Sequence, residues 1–270
     1  MHFQISDWRA WAPGLGDQDA WRQWCAAPWR PADDGSQPDA SFLPAMQRRR
    51  LSWLARMTFQ VAWPLADAHG EPLPLIFASR HGETPRTLAI LQELARGEPL
   101  SPTQFSLSVH NAIIGQWSIL RGDHSEMNAL ATGRDGLEHA VLEACTLLAE
   151  GASGVLVVIA EEAPPTLYAP QIDDVPFPYA VGLLLTPGGS HGLSGAPAPA
   201  EAATSAWPHA LELLRLLEAP GALHLAYAGR AWHWQAEARG LAAAWTTATA
   251  CWPRGSTSWC SAAAPWSFAC

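Results

Sequence analysis

The chain has 270 residues, 49% of them hydrophobic and 15% charged, with a formal net charge of −9. That size and balance fit one α/β domain or two small ones and exclude a wholly disordered chain. An acidic chain offers no electrostatic footprint for nucleic acid or an anionic membrane, and no apolar stretch reaches the about 18 residues of a membrane span.

Phe3 to Trp11 reads as a short strand ending at Pro13-Gly14. The start, Met1 to Asp7, has no charged segment followed by an apolar core, so no signal peptide is expected and the cytoplasm is the expected compartment. A Trp-rich loop is expected from Trp21 through Trp24 and Trp29 to Pro38. From Pro44 to about Leu65 the pattern is helical, with Gln47, Leu51, Leu54, Thr58 and Val61 on one stripe and Pro44 suited to a first turn. Leu73 to Ala78 is a buried strand by its apolar run, and Thr87 to Ala95 a short helix closed by Gly97.

After Ser101 to Asn111 a helix is expected to Leu120, and a strand from Glu126 to Thr132. Arg134 to Glu150 is the clearest helix: Leu137, Ala140, Val141, Ala144, Leu147 and Leu148 share a face, and Gly151 follows its end. Gly154 to Ala160 is a central strand, Tyr179 to Leu185 another, and Pro187 to Pro199 a mobile loop of Gly, Pro, Ala and Ser. Ala206 to Leu217 is a helix, and Ala222 to Tyr227 with Ala231 to Ala236 a closing hairpin. Strands alternating with helices predict a layered α/β/α domain over residues 1–240. Residues 241–270, with one charge and no clear period, are expected to be a disordered or incidental tail.

Three pieces between Ser101 and Glu161 resemble the β-ketoacyl synthase family. Ser101-Pro102, followed by Asn111-Ala112-Ile113-Ile114-Gly115-Gln116-Trp117-Ser118-Ile119, looks like the family's run of Ser-Pro and then spaced Asn, Gly, Ser and Ile. Ala131-Thr132-Gly133-Arg134-Asp135-Gly136-Leu137 stands where ketosynthases carry the T-A-C-S-S-S-L type turn into a helix. That helix, with Gly151 and Val155 to Glu162, is similar to the family's ending in Glu. Upstream, Arg48-Arg49-Arg50-Leu51-Ser52 and Ser79-Arg80-His81-Gly82 look like its first helix and first strand-to-glycine turn. The stretch Ser101 to Asn111 resembles the short ketosynthase-like proteins of bacterial aryl polyene clusters, which pair with a full ketosynthase as its chain-length factor.

The resemblance implies half of a thiolase-like fold, a mixed sheet between helical layers. A ketosynthase needs a cysteine thiolate at a helix N-terminus, two histidines and a lysine. The nucleophile position falls on Gly133, which has no side chain to acylate. All 16 basic residues are arginine, so no lysine is present. The family's histidines belong to a second half-fold, for which this chain is too short. The implied protein is therefore not an enzyme but a partner that shapes the acyl channel of a competent ketosynthase. The heterodimer would serve fatty-acid or polyketide-type synthesis and use no cofactor. The resemblance places Gln104 and Ser108 on the channel, with Asn111, Gly115 and Gly133 at channel or interface positions. Arg48, Arg49 and Arg50 would dock an acidic acyl carrier protein, although a charge run is also how a solvated helix face reads.

The rival reading is a histidine phosphatase built on Arg80-His81-Gly82 after the strand at Leu73–Ala78, with Ser190-His191-Gly192 as its second histidine. Such enzymes place the turn on their first strand, whereas here a strand and a helix precede it. The structural alternative is a glycine turn with an exposed His81. Cys145 reads as a small core residue inside a helix and His110 as a satisfied structural histidine. The cysteines (25, 145, 251, 260 and 270) are odd in number with no CxxC pair, so neither a disulfide framework nor a metal site is expected. Trp8, Trp11, Trp21, Trp24 and Trp29 read as cover for the sheet or a partner rather than a carbohydrate platform. Gly188-Gly189 does not open a phosphate-binding helix.

Overall fold

The computed structural model describes residues 1–199 and 205–237. The elements run β1 (His2–Trp11), α1 (Gln18–Ala26), α2 (Ala45–Arg48), α3 (Trp53–His69), β2 (Leu75–Ala78), α4 (Thr84–Ala95), α5 (Pro102–Ser106) and α6 (Ala112–Arg121). There follow β3 (Met127–Leu130), α7 (Gly136–Ala149), β4 (Val155–Glu161), β5 (Tyr179–Pro197), α8 (His209–Glu218), β6 (Ala222–Tyr227) and β7 (Arg230–Ala236). The tail at 241–270 lies outside the described residues.

The strands of the described residues join one seven-stranded mixed sheet in the order β3-β2-β4-β5-β7-β6, with β1 also paired to β5. β2 is parallel to β3 and β4; the pairs made by β5, and the β6–β7 hairpin, are antiparallel. β4 explains the two-sided core. Its seven residues are all buried, and the alternation of a strand sends Val155, Val157 and Ile159 to one core and Leu156, Val158 and Ala160 to the other. α1, α7 and α8 cover the first face, α3 and α6 the second. α3 starts where the Ser52 hydroxyl accepts the Ala55 N–H at 3.0 Å and ends at Gly70, whose φ is 83°. It lies close on the sheet because Gly182 has no side chain: an added Cβ would meet the Val61 side chain and carbonyl at 3.1 Å.

Three expectations need correction. The Trp-rich start is not all loop: Asp17 caps α1 by accepting the Ala20 N–H at 2.8 Å, and Trp21, Trp24 and Cys25 are buried on one helical face. Trp8, Trp11, Trp21 and Trp24 are core residues, whereas Trp29 is exposed. The helix read from Pro44 to Leu65 is two helices, a single turn at α2 and then α3, so Arg48 ends one helix while Arg49 and Arg50 lie beyond it. Pro187 to Pro199 is not a free loop. β5 continues to Pro197, bulging between Thr186 and His191 opposite the register shift at Phe3/Gln4, and then pairs with β7.

Among the described residues no helix is long and apolar enough to cross a membrane. Cys145 is half-buried against the first core, and burial pushes its thiol pKa up.

Candidate functional site

The carboxyl-terminal ends of the parallel strands β2, β3 and β4 open into one pocket. It is bounded by the turn Ser79–Arg80, the β3–α7 turn at Thr132–Gly133, and Asp173–Asp174 from the loop after β4. Crevices at the carboxyl ends of parallel strands are where α/β sheets bind ligands.

Gly133 sits just before α7, where free backbone N–H groups and the helix dipole would favour a thiolate. The space is taken. A Cβ at Gly133 would lie 2.2 Å from Cε1 and 2.9 Å from Cζ of Tyr227, the last residue of β6. The hairpin turn that brings Tyr227 there uses two residues with positive φ, Ala228 at 48° and Gly229 at 78°. The hairpin is pinned to α7: Arg230 Nε and Trp232 Nε1 donate to Asp135 Oδ2 at 2.7 and 3.2 Å, and Trp234 Nε1 donates to Glu138 at 3.0 Å. Glu138 also bonds the ring of His209 at 2.9 Å.

Glu161, the last residue of β4, forms the pocket's inner wall. It accepts from the Ser79 hydroxyl at 3.1 Å and from the backbone N–H groups of Arg80 and His81 at 2.5 and 3.3 Å. Burial outweighs these bonds and pushes its carboxyl pKa up to about 7. Asp174 goes the other way. Burial works against its ionisation, but the hydrogen bonds from His81 at 3.0 Å and Arg80 at 2.5 Å hold it at about 2. Arg134 pairs with Asp173 at 2.5 Å. The pocket thus holds ion pairs and one carboxyl that titrates near neutrality, with no side chain at Gly133.

The sequence-predicted residues do not all converge. Gly133 lines this pocket, whereas Ser108 lines a separate shallow groove with His81, Gly82, His110 and Tyr168. The Ser79–Gly82 turn contributes to both. Gln104 is exposed on α5 and accepts from Arg86 Nη1 at 2.6 Å. The Ser108 hydroxyl donates to the Phe105 carbonyl at 2.8 Å. Asn111 is exposed at the start of α6, and an added Cβ at Gly115 would meet nothing within 4 Å. Around them the surface is apolar: Phe105 is 63% and Ile119 81% exposed, with Leu91, Leu94 and Val109 also exposed.

Arg80-His81-Gly82 does form a turn after β2, but His81 is not an exposed loop residue. It is half-buried with its ring on Asp174. His191 lies far along β5, opposite Phe3 and Ala236, while Tyr179 at the start of β5 pairs with Glu161 beside His81. The two histidines of the phosphatase reading are not brought to one pocket. His110 is structural: its Nε2 bonds the Ser79 carbonyl at 2.7 Å and its ring packs on Phe77. Tyr227 and Asp174 were not singled out from sequence, because only the folded hairpin and the post-β4 loop bring them to Gly133 and His81.

A family model described as beta-ketoacyl synthase, N-terminal domain, matches residues 21–235. Comparison with curated proteins finds no match. Among solved structures, the ketosynthase ApeO in complex with its chain length factor ApeC, from Xenorhabdus doucetiae, matches with a TM-score of 0.78 and 30% identity. The match covers 87% of this chain and 99% of that chain. The ishigamide ketosynthase/chain length factor matches at TM-score 0.57 and 14% identity, covering 73% of this chain and 68% of that one. A β-ketoacyl synthase from Burkholderia phymatum matches at 0.53 and 14%, covering 81% and 70%. At these identities the last two establish the fold alone. It is the half of a thiolase-like fold, a mixed sheet between helical layers.

Proposed function

This chain belongs to the β-ketoacyl synthase family, and we propose that within it the protein is a non-catalytic partner of chain-length-factor type. It pairs with a competent ketosynthase in fatty-acid or polyketide-type synthesis, of the aryl polyene kind, and helps shape that enzyme's acyl channel. The observation that carries the reading is the packing of Tyr227 on Gly133. The position that would bear the nucleophile has neither a side chain nor room for one, so an acyl-enzyme cannot form there. The similarity to a ketosynthase–chain length factor complex supports the pairing.

A half-fold leaves surface for another subunit to cover. Two features of this chain suit that cover. Among the described residues β3 has β2 as its only sheet neighbour, leaving one edge free; α6 packs beside β3, and α5 and α6 expose Phe105 and Ile119. Gln104, Ser108, Asn111 and Gly115 lie on this same α5–α6 stretch, which is where residues lent to a partner's channel would sit. Arg48, Arg49 and Arg50, on and just after α2, are the candidate contacts for an acidic carrier protein.

The test is co-expression with a ketosynthase of the same organism. The pair should elute as a heterodimer in size-exclusion chromatography, and the chain alone should give no acyl adduct by mass spectrometry. A well-behaved monomer that ignores the ketosynthase would overturn the reading.

A further inference from the structure

The β6–β7 hairpin carries a feature unconnected with the pocket. Its register sets His224 directly opposite His233. Directly opposed residues of an antiparallel pair project from the same face with Cβ atoms about 4.5–5.5 Å apart. Here the two rings meet nearly at right angles, 74°, with centroids 4.1 Å apart and Nδ1 2.9 Å from Nδ1. His224 is exposed and His233 half-exposed, so both are open to solvent ions.

We infer that this pair is a binding site for a divalent transition-metal ion of tetragonal preference, copper(II) or nickel(II), ligated by the Nδ1 atoms of His224 and His233. Neutral imidazole nitrogen is a preferred ligand for these ions. Two nitrogens bound at about 2.0–2.1 Å on adjacent corners of a square stand about 2.9 Å apart, while a tetrahedral ion would spread them to about 3.3–3.4 Å. The observed 2.9 Å matches the square arrangement. In the free pair one ring donates its Nδ1 proton to the other. On metal binding that ring carries its proton on Nε2 instead, so both lone pairs face the ion and no net proton is lost.

The site is held in place before any ion arrives. The residues flanking His233, Trp232 and Trp234, point to the opposite face, are buried, and are bonded to Asp135, just before α7, and to Glu138 of α7. His233 therefore sits on a strand fixed from behind, and its partner is fixed to it by the hairpin register. Ser194 of β5 lies directly opposite His233 on the other side, exposed and on the same face, so a hydroxyl flanks the position beside the pair. Among the described residues no group of three or more His, Cys, Asp or Glu is placed to hold a metal. The site is accordingly a two-nitrogen one, completed by water and the serine, and modest in affinity. The net charge of −9 favours cation approach.

The experiment is calorimetric titration of the full chain with copper(II) chloride in a non-chelating buffer, comparing wild type with His224→Ala, His233→Ala and the double variant. Wild type should bind one equivalent that the double variant lacks, and each single variant should weaken that equivalent at least 10-fold. Any copper held by Met1 and His2 is common to all four proteins and cancels. Electron paramagnetic resonance of the copper-loaded wild type should show an axial signal with two nitrogen ligands, falling to one in either single variant. Nickel(II) should bind more weakly than copper(II) at the same stoichiometry. Equal stoichiometry and affinity in wild type and double variant, with both proteins folded by circular dichroism, would overturn the inference and leave the pair as a hydrogen bond only. The result does not depend on the partner role proposed above.

Discussion

The ring of Tyr227 fills the space that any side chain at Gly133 would need, with Cε1 2.2 Å from where a Cβ would be. The glycine is there for room and not for backbone freedom, since its φ is not in the left-handed region. The backbone of Tyr227 is held by the hairpin turn and by its pairing with Arg230, whose side chain bonds Asp135.

Gly133→Cys should therefore not restore a nucleophile. It should overpack the turn and cost about 1–3 kcal/mol, visible as a lower thermal midpoint and with no acylation. Adding Tyr227→Ala should recover much of that loss, because the two changes remove one clash between them. Additive losses in the double variant would show that the two positions do not meet.

Glu161 and its neighbour Glu162 give the pH dependence. The Glu161 pKa is raised from 4.5 to about 7 in the folded chain by burial, so folding favours the protonated form. The associated stability is fully present below about pH 4.5 and is lost as pH rises through about 7, a change of the order of 3 kcal/mol. Asp174, held at about 2, has the opposite sign: its contribution is present above about pH 4 and lost as pH falls through about 2. The two windows do not overlap. Urea midpoints should thus be higher at pH 5 than at pH 8; Glu162, whose pKa burial also raises from 4.5 to about 7, acts in the same direction, so Glu161→Gln should reduce that difference without abolishing it. An unchanged slope in the variant would remove Glu161 as a source of it.

The fold was legible where one element explains its own pattern. The unbroken run Val155–Ala160 could only be a strand covered on both faces, and the stripe from Leu137 to Leu148 with Gly151 could only be an amphipathic helix. α1 was hidden because Asp17, Pro13 and the prolines after it read as loop, although Trp21, Trp24 and Cys25 already stood at helical spacing. The far half of β5 was hidden because Pro187 and Gly188-Gly189 mark a bulge in a strand as readily as a loop. The motif points to Gly133, and Gly133 lines the pocket. Tyr227 was not legible, because no local pattern says where a hairpin tip will land.

Glu138 is a buried carboxylate answered by two donors, the indole of Trp234 and the ring of His209. Glu138→Ala should strand both and leave a cavity, at a cost of about 3 kcal/mol or more. Trp234→Phe, which removes one donor but keeps most of the ring, should cost less. Thermal denaturation of the two variants checks the order, and a milder effect from Glu138→Ala would contradict the pairing.

Ser108→Phe adds volume on the α5–α6 surface while losing only the short hydroxyl bond to the Phe105 carbonyl. In a heterodimer whose acyl channel passes this residue, products should shorten with assembly intact, and Gln104→Phe should act in the same direction. Product length by mass spectrometry decides it. Unchanged length in an intact Ser108→Phe complex would refute the channel placement and leave the partner role standing.

Phe105→Glu combined with Ile119→Glu separates docking from folding. The two side chains are 63% and 81% exposed, so in the lone chain they support little, and surface changes of this kind shift stability by about 0.5 kcal/mol or less. The thermal midpoint should barely move. If a ketosynthase covers α5 and α6 beside the free edge of β3, both side chains become buried in the complex. Each then contributes about 1.5–3 kcal/mol that a carboxylate cannot supply, and burying an unpaired carboxylate adds a further penalty. The loss should be at least about 3 kcal/mol, which raises the dissociation constant more than 100-fold and abolishes the heterodimer peak at micromolar concentration. A heterodimer that survives both substitutions would move the interface away from α5 and α6.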